Sequence, residues 1–392
     1  MMNIILFDDN GWDNLLPLTY TRPASELRIG IMTIKEKWEK WLDGSASHIT
    51  QEHLSEKFKL KKAKDNILIN GRVCPSADLV EKVKALGQGE AICSKGALIA
   101  LRTHSGGVAN FDISIISGKE TKIDATVIRY PWDIFSNNGV ELESDFTLLT
   151  EGRKSQKISS TNTIVGDGKI FIEKGAKAEA SILSTVNGSI YIGKDSEVME
   201  GAVIRGPFAL CEHGGVKMGA KIYGPTTVGP HSKVGGEVNN SVIIGYSNKG
   251  HDGFLGNSVI GEWCNLGADT NNSNLKNNYG LVDCWNYPAK AYIDTGLQFC
   301  GLIMGDHSKT GINTMLNTGT VVGVSCNIYG SDFPRKFVPS FSWGSARSML
   351  NYKLDKALET AERVMDRRSV KLDKTEQDLL ESVFKLTDGQ RK

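Results

Sequence analysis

The sequence predicts an α/β domain followed by a parallel β-helix and a short helical tail. Three observations carry this. Residues 161–345 hold 29 of the 42 glycines, against 12 in residues 1–160 and one beyond. Ile192, Val198, Ile204, Leu210, Val216, Ile222, Val228 and Val234 are eight consecutive aliphatic positions spaced six apart. Ahead of them, strand-like apolar runs alternate with helix-like ones.

A period of six fits neither a helix at 3.6 nor a lone strand at 2. It suits a coil of short strands in which one residue per side points inward and a small residue follows at the corner. Ile192-Gly193, Val228-Gly229, Val234-Gly235, Ile260-Gly261, Leu266-Gly267, Met304-Gly305 and Val322-Gly323 obey that grammar. Stacked coils bury an aliphatic column, at roughly 1.5–3 kcal/mol per inward side chain. Each coil pairs only with its neighbours, which makes a quasi-one-dimensional solenoid. Later phases run through Ile260 and Leu266, then through Met304, Thr310, Leu316, Val322 and Ile328. The intervals between phases, 26 residues from Val234 to Ile260 and 38 from Leu266 to Met304, are not multiples of six. Each predicts residues leaving the coil as a loop, the usual place for ligands on a rigid scaffold. The first interval contains NKGHDGF (248–254); the second contains NNSNLKNNYG (271–280) and WNYPAK (285–290).

In residues 1–150, NIILF (3–7), NILIN (66–70), FDISII (111–116) and TVIRY (126–130) read as buried strands. TIKEKWEKWL (33–42) and SADLVEKVKAL (76–86) read as helices. The alternation predicts an α/β layer with a largely parallel sheet. Residues 352–386 read as one or two solvated helices, with 10 basic and 9 acidic residues across 351–392. The expected domains are 1–155, 160–345 and 346–392.

Composition narrows the function classes. A net charge of +1 gives no electrostatic case for nucleic acid or membrane as partner. No apolar run approaches the roughly 18 residues of a membrane span. MMNIILFDDN opens as a core strand rather than a signal peptide. The seven scattered cysteines, odd in number and without a CxxC pair, favour free thiols in a reducing cytoplasm over disulfides or zinc. A cytoplasmic protein with no metal site in the β-helix is expected.

His251 lies in a glycine-flanked segment (Gly250, Gly253), where backbone can approach a ligand closely. A histidine titrates near working pH and suits proton abstraction. Lys249 beside it is a candidate for a phosphate group. GHDGFLGNSVIGEWCNLGADTNNSNL (250–275), GDHSKTGINTML (305–316) and PSFSWG (339–344) then give the chain a family likeness. It resembles the GlmU family of bifunctional N-acetylglucosamine-1-phosphate uridyltransferases and glucosamine-1-phosphate acetyltransferases, and more closely a shorter variant branch.

The resemblance implies a left-handed β-helix, a homotrimer, acetyl-CoA as cosubstrate and a place in UDP-N-acetylglucosamine biosynthesis for the cell envelope. It puts His251 at the family's catalytic base. Asn265 falls on a sugar-contacting Asn, and Asn274 falls beside the acyl donor. Gly311 and Asn313 lie in a coil lining the CoA channel. Lys276 and Lys290 both qualify for a substrate-binding lysine, Lys276 being preferred. Phe254 replaces a family Tyr, and Asn239 replaces a phosphate-binding Lys. The small molecules expected are an amino-sugar phosphate and a nucleoside triphosphate.

The N-terminal region resembles a reduced sugar-nucleotidyltransferase domain. NGWDNLLPLTYTRPASEL (10–27) keeps LPLT, but the glycine-rich phosphate loop reduces to Gly11. The expected Arg falls on Asn14, the Lys on Ala24 and the metal-binding Asp on Arg72. Asp8, Arg22, Arg28 and Arg72 are the remaining candidates there, with Mg2+ implied only if this domain is active. The leading expectation is acetyl-CoA-dependent N-acetylation of an amino-sugar 1-phosphate. One alternative is a sugar-1-phosphate uridylyl- or thymidylyltransferase whose β-helix serves trimerisation. Another is a non-catalytic sugar-nucleotide-binding trimer.

Overall fold

The computed structural model describes residues 3–391. The chain divides into two compact units. One comprises the residues up to Leu15 together with Thr21–Leu27 and Met32–Arg129; the other comprises Leu16–Tyr20, Arg28–Ile31 and everything from Tyr130 onward.

The first unit is an α/β layer. Its strands are β1 (Asn3–Phe7), β2 (Ala46–Ile49), β3 (Asp65–Asn70), β4 (Ala91–Ser94), β5 (Ala97–His104) and β6 (Lys119–Glu120), in the sheet order β2-β1-β3-β5-β4-β6. Its helices are α1 (Ile34–Leu42), α2 (Glu52–Ser55), α3 (Ala77–Lys84) and α4 (Ser105–Ala109). Helix α1 starts where expected because Thr33 and Glu36 form a reciprocal capping box, and Ser76 caps α3.

The expectation of a largely parallel sheet holds only for part of it. β1 runs parallel to β2 and β3, and β4 parallel to β6, whereas β5 is antiparallel to β3 and β4. The reason is a tight hairpin: Lys95 and Gly96 both take positive φ, which joins β4 directly to β5. Residues 111–116 are not a strand. The Asp112 side chain accepts from Ser114 N at 2.9 Å and nucleates a 3-10 turn, Ile113–Ile115, in place of sheet pairing. Residues 126–130 make only a bridge between Val127 and Val73 before Tyr130 begins the next helix.

That helix, α5 (Pro131–Thr150), belongs to the second unit, and its length was not apparent in the sequence. Pro131 stands at its first turn, where no amide hydrogen is needed. Asn137, Asn138 and Gly139 obscure the helical pattern, and the fold explains two of them. Asn138 donates to the Pro225 carbonyl at 3.0 Å and accepts from Gly30 N at 2.8 Å. A Cβ on Gly139 would stand 2.9 Å from Pro225 Cγ. Leu142 and Phe146 bury against Phe171, Ala209 and Cys211.

The rest of the second unit is the expected parallel β-solenoid, with a sheet on each of three faces. The first face carries strands such as Ile182–Ser184 and Val203–Arg205, the second Ile190–Ile192 and Phe208–Leu210, and the third Glu197–Val198 and Gly215–Val216. All eight residues of the six-spaced column are buried in one continuous core. Helices α6 (Leu354–Asp366) and α7 (Lys374–Leu386) form the tail.

The first break in the period is not a loop. Val238, Ile243, Lys249, Leu255 and Ile260 continue the inward column, in register with the coils on either side. The coil is simply shorter: 18 positions separate Val216 from its partner Val234, and 15 separate Val234 from Lys249. The second break is a true excursion. The chain leaves after Asn272, which pairs with Leu316 in the column, and makes a hairpin of Asp283–Asn286 with Ala291–Asp294. It returns where Cys300 N donates to Asn274 O at 2.9 Å.

Candidate active site

The short coil builds the site. Gly235 and Gly236 turn the corner from the third face to the first, with Gly236 at φ +66. A Cβ on Gly235 would lie 2.6 Å from the Gly250 carbonyl, and one on Gly236 would lie 2.7 Å from Asp252 Cα. Only glycine lets the next corner, residues 250–253, settle so close. Three backbone bonds then fix that corner: Gly235 N to Lys249 O at 2.7 Å, Asp269 N to Asp252 O at 2.9 Å, and Glu237 N to Gly253 O at 3.2 Å. His251 is exposed on this clamped turn.

Beside it lies a cleft of about 800 Å3 over the third face. His251 and Asn265 line it, as do the rings of Tyr246 and Trp263, stacked at 4.3 Å. Lys217, Lys233 and Lys309 lie along the solenoid side, and Arg367 and Arg368 follow helix α6. Arg368 donates to the Asn248 side chain at 3.2 Å. Among the described residues none of these five cations has a carboxylate within 4 Å. Burial lowers the Lys233 pKa, and Arg368 and Lys217 lower it further. Burial pushes Lys309 down to about 8. Lys309 Nζ donates to the His307 carbonyl at 2.8 Å, and like charges gathered in this way favour an anion with several negative oxygens.

The remaining expected residues of the second unit fall in four places. Gly311 and Asn313 build the corner above the cleft: a Cβ on Gly267 would meet Gly311 C at 2.5 Å, and Asn313, at φ +59, donates to Ala268 O at 2.9 Å. Ile312 between them lines the cleft. Lys249 is buried and points inward in the column, its Nζ donating to the His251 carbonyl at 2.7 Å. Asn274 lies against Gly256 of the first face and donates to Asn257 at 2.8 Å. Lys276 pairs with Asp283 at 3.1 Å, within the excursion.

In the first unit, Arg72 donates from Nε to Asp9 at 2.7 Å, and Asp9 also accepts from Gly11 N at 2.9 Å. Burial alone would raise the Asp9 pKa, but the hydrogen bond and charge of Arg72 outweigh it and hold the carboxyl below its usual range. Asp8 accepts from Thr50 at 2.6 Å and from Ala24 N at 2.9 Å, and burial pushes it up to about 6. Arg22 is buried in this unit. Arg28 belongs to the second unit, donating to the carbonyls of Ile31 and Ile244. No cluster of three or more His, Cys, Asp or Glu suited to a metal occurs among the described residues. No described helix is long and apolar enough to cross a membrane.

Sequence reasoning missed the cations and rings of the cleft. A usable signal existed, since Lys233, Asn248, Asn265 and Lys309 each precede an inward position and so face outward in one ladder.

Fold and site together define a protein with an α/β unit followed in the chain by a hexapeptide-type β-solenoid. Residues 4–154 match the family model described as sugar nucleotidyl transferase. A bifunctional sugar-1-phosphate nucleotidylyltransferase/acetyltransferase of Sulfurisphaera tokodaii is 32% identical over 178 residues, covering 45% of this chain and 43% of the relative. The bifunctional protein GlmU of Methanocaldococcus jannaschii is 31% identical over 205 residues, 51% of this chain and 42% of the relative. Among solved structures, the polySia-specific acetyltransferase NeuO aligns with a TM-score of 0.30 at 15% identity, covering 54% of this chain and 99% of that one. Over about half of its length the chain is similar to these bifunctional sugar-1-phosphate nucleotidyltransferase/acetyltransferases. The match spans less than half the length of these two relatives.

Proposed function

We propose that the protein is an acetyl-CoA-dependent transferase that N-acetylates an amino-sugar 1-phosphate, glucosamine 1-phosphate being the first candidate. The observation that carries this is the exposed His251 on a glycine-clamped corner at the rim of a cation-lined cleft. The substrate amine attacks the thioester carbonyl, forming a C–N bond as the C–S bond breaks. His251 takes the amine proton, and CoA leaves as the thiol. A positioned base of this kind contributes about 10²–10⁴-fold. Lys233, Lys309 and the two arginines of the tail would hold phosphate oxygens, whether of the sugar or of CoA. Asn265 would orient the sugar from the floor, while Gly311 and Asn313 would shape the channel for the acyl donor.

In this reading residues 160–345 carry the acetyltransferase chemistry, in a left-handed homotrimeric assembly in the cytoplasm. Residues 346–392 cap the site. Residues 1–155 keep a nucleotidyltransferase-like layer whose phosphate loop is closed by Asp9 and Arg72. Mg2+ has no role unless that loop opens.

The test is release of CoA thiol from acetyl-CoA with glucosamine 1-phosphate, galactosamine 1-phosphate and unphosphorylated glucosamine. The expected result is turnover of one of the phosphates, with a KM well below that for free glucosamine. No thiol release with any amine would refute the assignment.

A further inference from the structure

We propose that Lys249 is a positioning residue that locks the His251 corner from inside the solenoid. The inference rests on His251 being the base of the proposed reaction. Lys249 takes a place in the interior column that aliphatic residues otherwise dominate. It pairs with Val234 on one side, and the bridge of Asn248 to Asn265 puts it beside Leu266 on the other. The side chain is 3% exposed, and its Nζ donates to the His251 carbonyl at 2.7 Å.

A lysine in such a column is costly, because burial penalises the charged form. Burial lowers its pKa to about 8, against the pull of the Asp252 and Asp269 carboxylates. A plain aliphatic residue would pack better against Val234 and Leu266. What the ammonium adds is a charge-assisted bond to the backbone carrying the base. The His251 residue is exposed at the rim of the cleft, so the backbone that carries it sets where its ring can reach. Stability given up at a single interior position is characteristic of a site that needs geometry more than packing.

The experiment compares wild type with Lys249→Met, which keeps the length and apolar stem but removes the donor, and with Lys249→Gln as a second variant. Backbone amide exchange at residues 250–253, thermal midpoint, kcat and both KM values are read. Lys249→Met is expected to melt at or above the wild-type temperature. Exchange at 250–253 should quicken about 10-fold while strand Val259–Glu262 is unchanged, and kcat should fall about 10-fold with both KM values within about 3-fold. Lys249→Gln, which keeps an N–H donor, should recover part of the kcat. Unchanged exchange and kcat in both variants would overturn the inference. A raised KM for the sugar phosphate with unchanged kcat would make Lys249 a substrate contact instead. If His251→Ala keeps full activity, the reading of the base fails, while loop exchange still decides whether Lys249 orders the corner.

Discussion

The guanidinium of Arg72 is held by the carboxylate of Asp9, with Nε donating at 2.7 Å, both side chains being nearly buried. A Cβ at Gly11 would stand 2.5 Å from Arg72 Cζ, so Arg72 fills the space beside the one glycine left in the loop. Breaking a buried pair from one side strands the other charge, at roughly 3–5 kcal/mol. Arg72→Ala should therefore destabilise the first unit by about 3 kcal/mol in denaturant unfolding. It should confer no Mg2+-dependent pyrophosphate release from UTP with a hexose 1-phosphate.

Asp8 offers a pH test. Its folded pKa of about 6 lies above the ordinary 3.8, mainly through burial. Its contribution to stability is therefore complete below about pH 4 and lost as pH rises through 6. Asp8→Asn can still accept from Ala24 N and donate to Thr50. Melting followed from pH 4 to 8 should show the variant gaining on wild type up to about pH 6 and holding an advantage of about 3 kcal/mol above it. Parallel curves for the two proteins would contradict the assignment.

The glycines of the His251 corner differ sharply. Gly250 has open space where a Cβ would go, whereas Gly253 has φ +108 and would put a Cβ 2.3 Å from Thr270 O. Gly250→Ala should fold with a melting temperature within a few degrees of wild type. Gly253→Ala should cost about 2 kcal/mol or more and lower kcat, read in the same assays.

The column was legible because each inward position repeats one requirement, an aliphatic side chain, and eight repeats make the period plain. Lys249 and Asn272 hid the continuation, since each places a polar residue where the pattern demands an apolar one. Both breaks were visible, but length alone could not tell a shortened corner from a loop. Gly235-Gly236 makes the first a tight turn, and the hairpin makes the second an excursion. Helix α5 was obscured because Asn138 and Gly139 serve contacts with Gly30 and Pro225, far away in sequence. The cation cluster draws on residues from 217 to 368, and no local window contains it.

Those cations make a separate prediction. With no anion bound, Lys233, Lys217 and Arg368 repel one another, so Lys233→Ala should leave the melting temperature unchanged or slightly raised. With substrates, Lys233→Ala and Arg368→Ala should each raise one KM about 10-fold and leave kcat within about 2-fold, the pattern of lost ground-state binding. The difference from wild type should shrink as salt is raised.

The most direct measurement is the rate of CoA thiol release from acetyl-CoA and glucosamine 1-phosphate, wild type against His251→Ala, with equal folding checked by melting. The expected result is steady release by wild type and a loss of about 10²–10⁴-fold in the variant, with KM for acetyl-CoA little changed. Equal release by both proteins would remove His251, and with it the proposed chemistry, from the cleft.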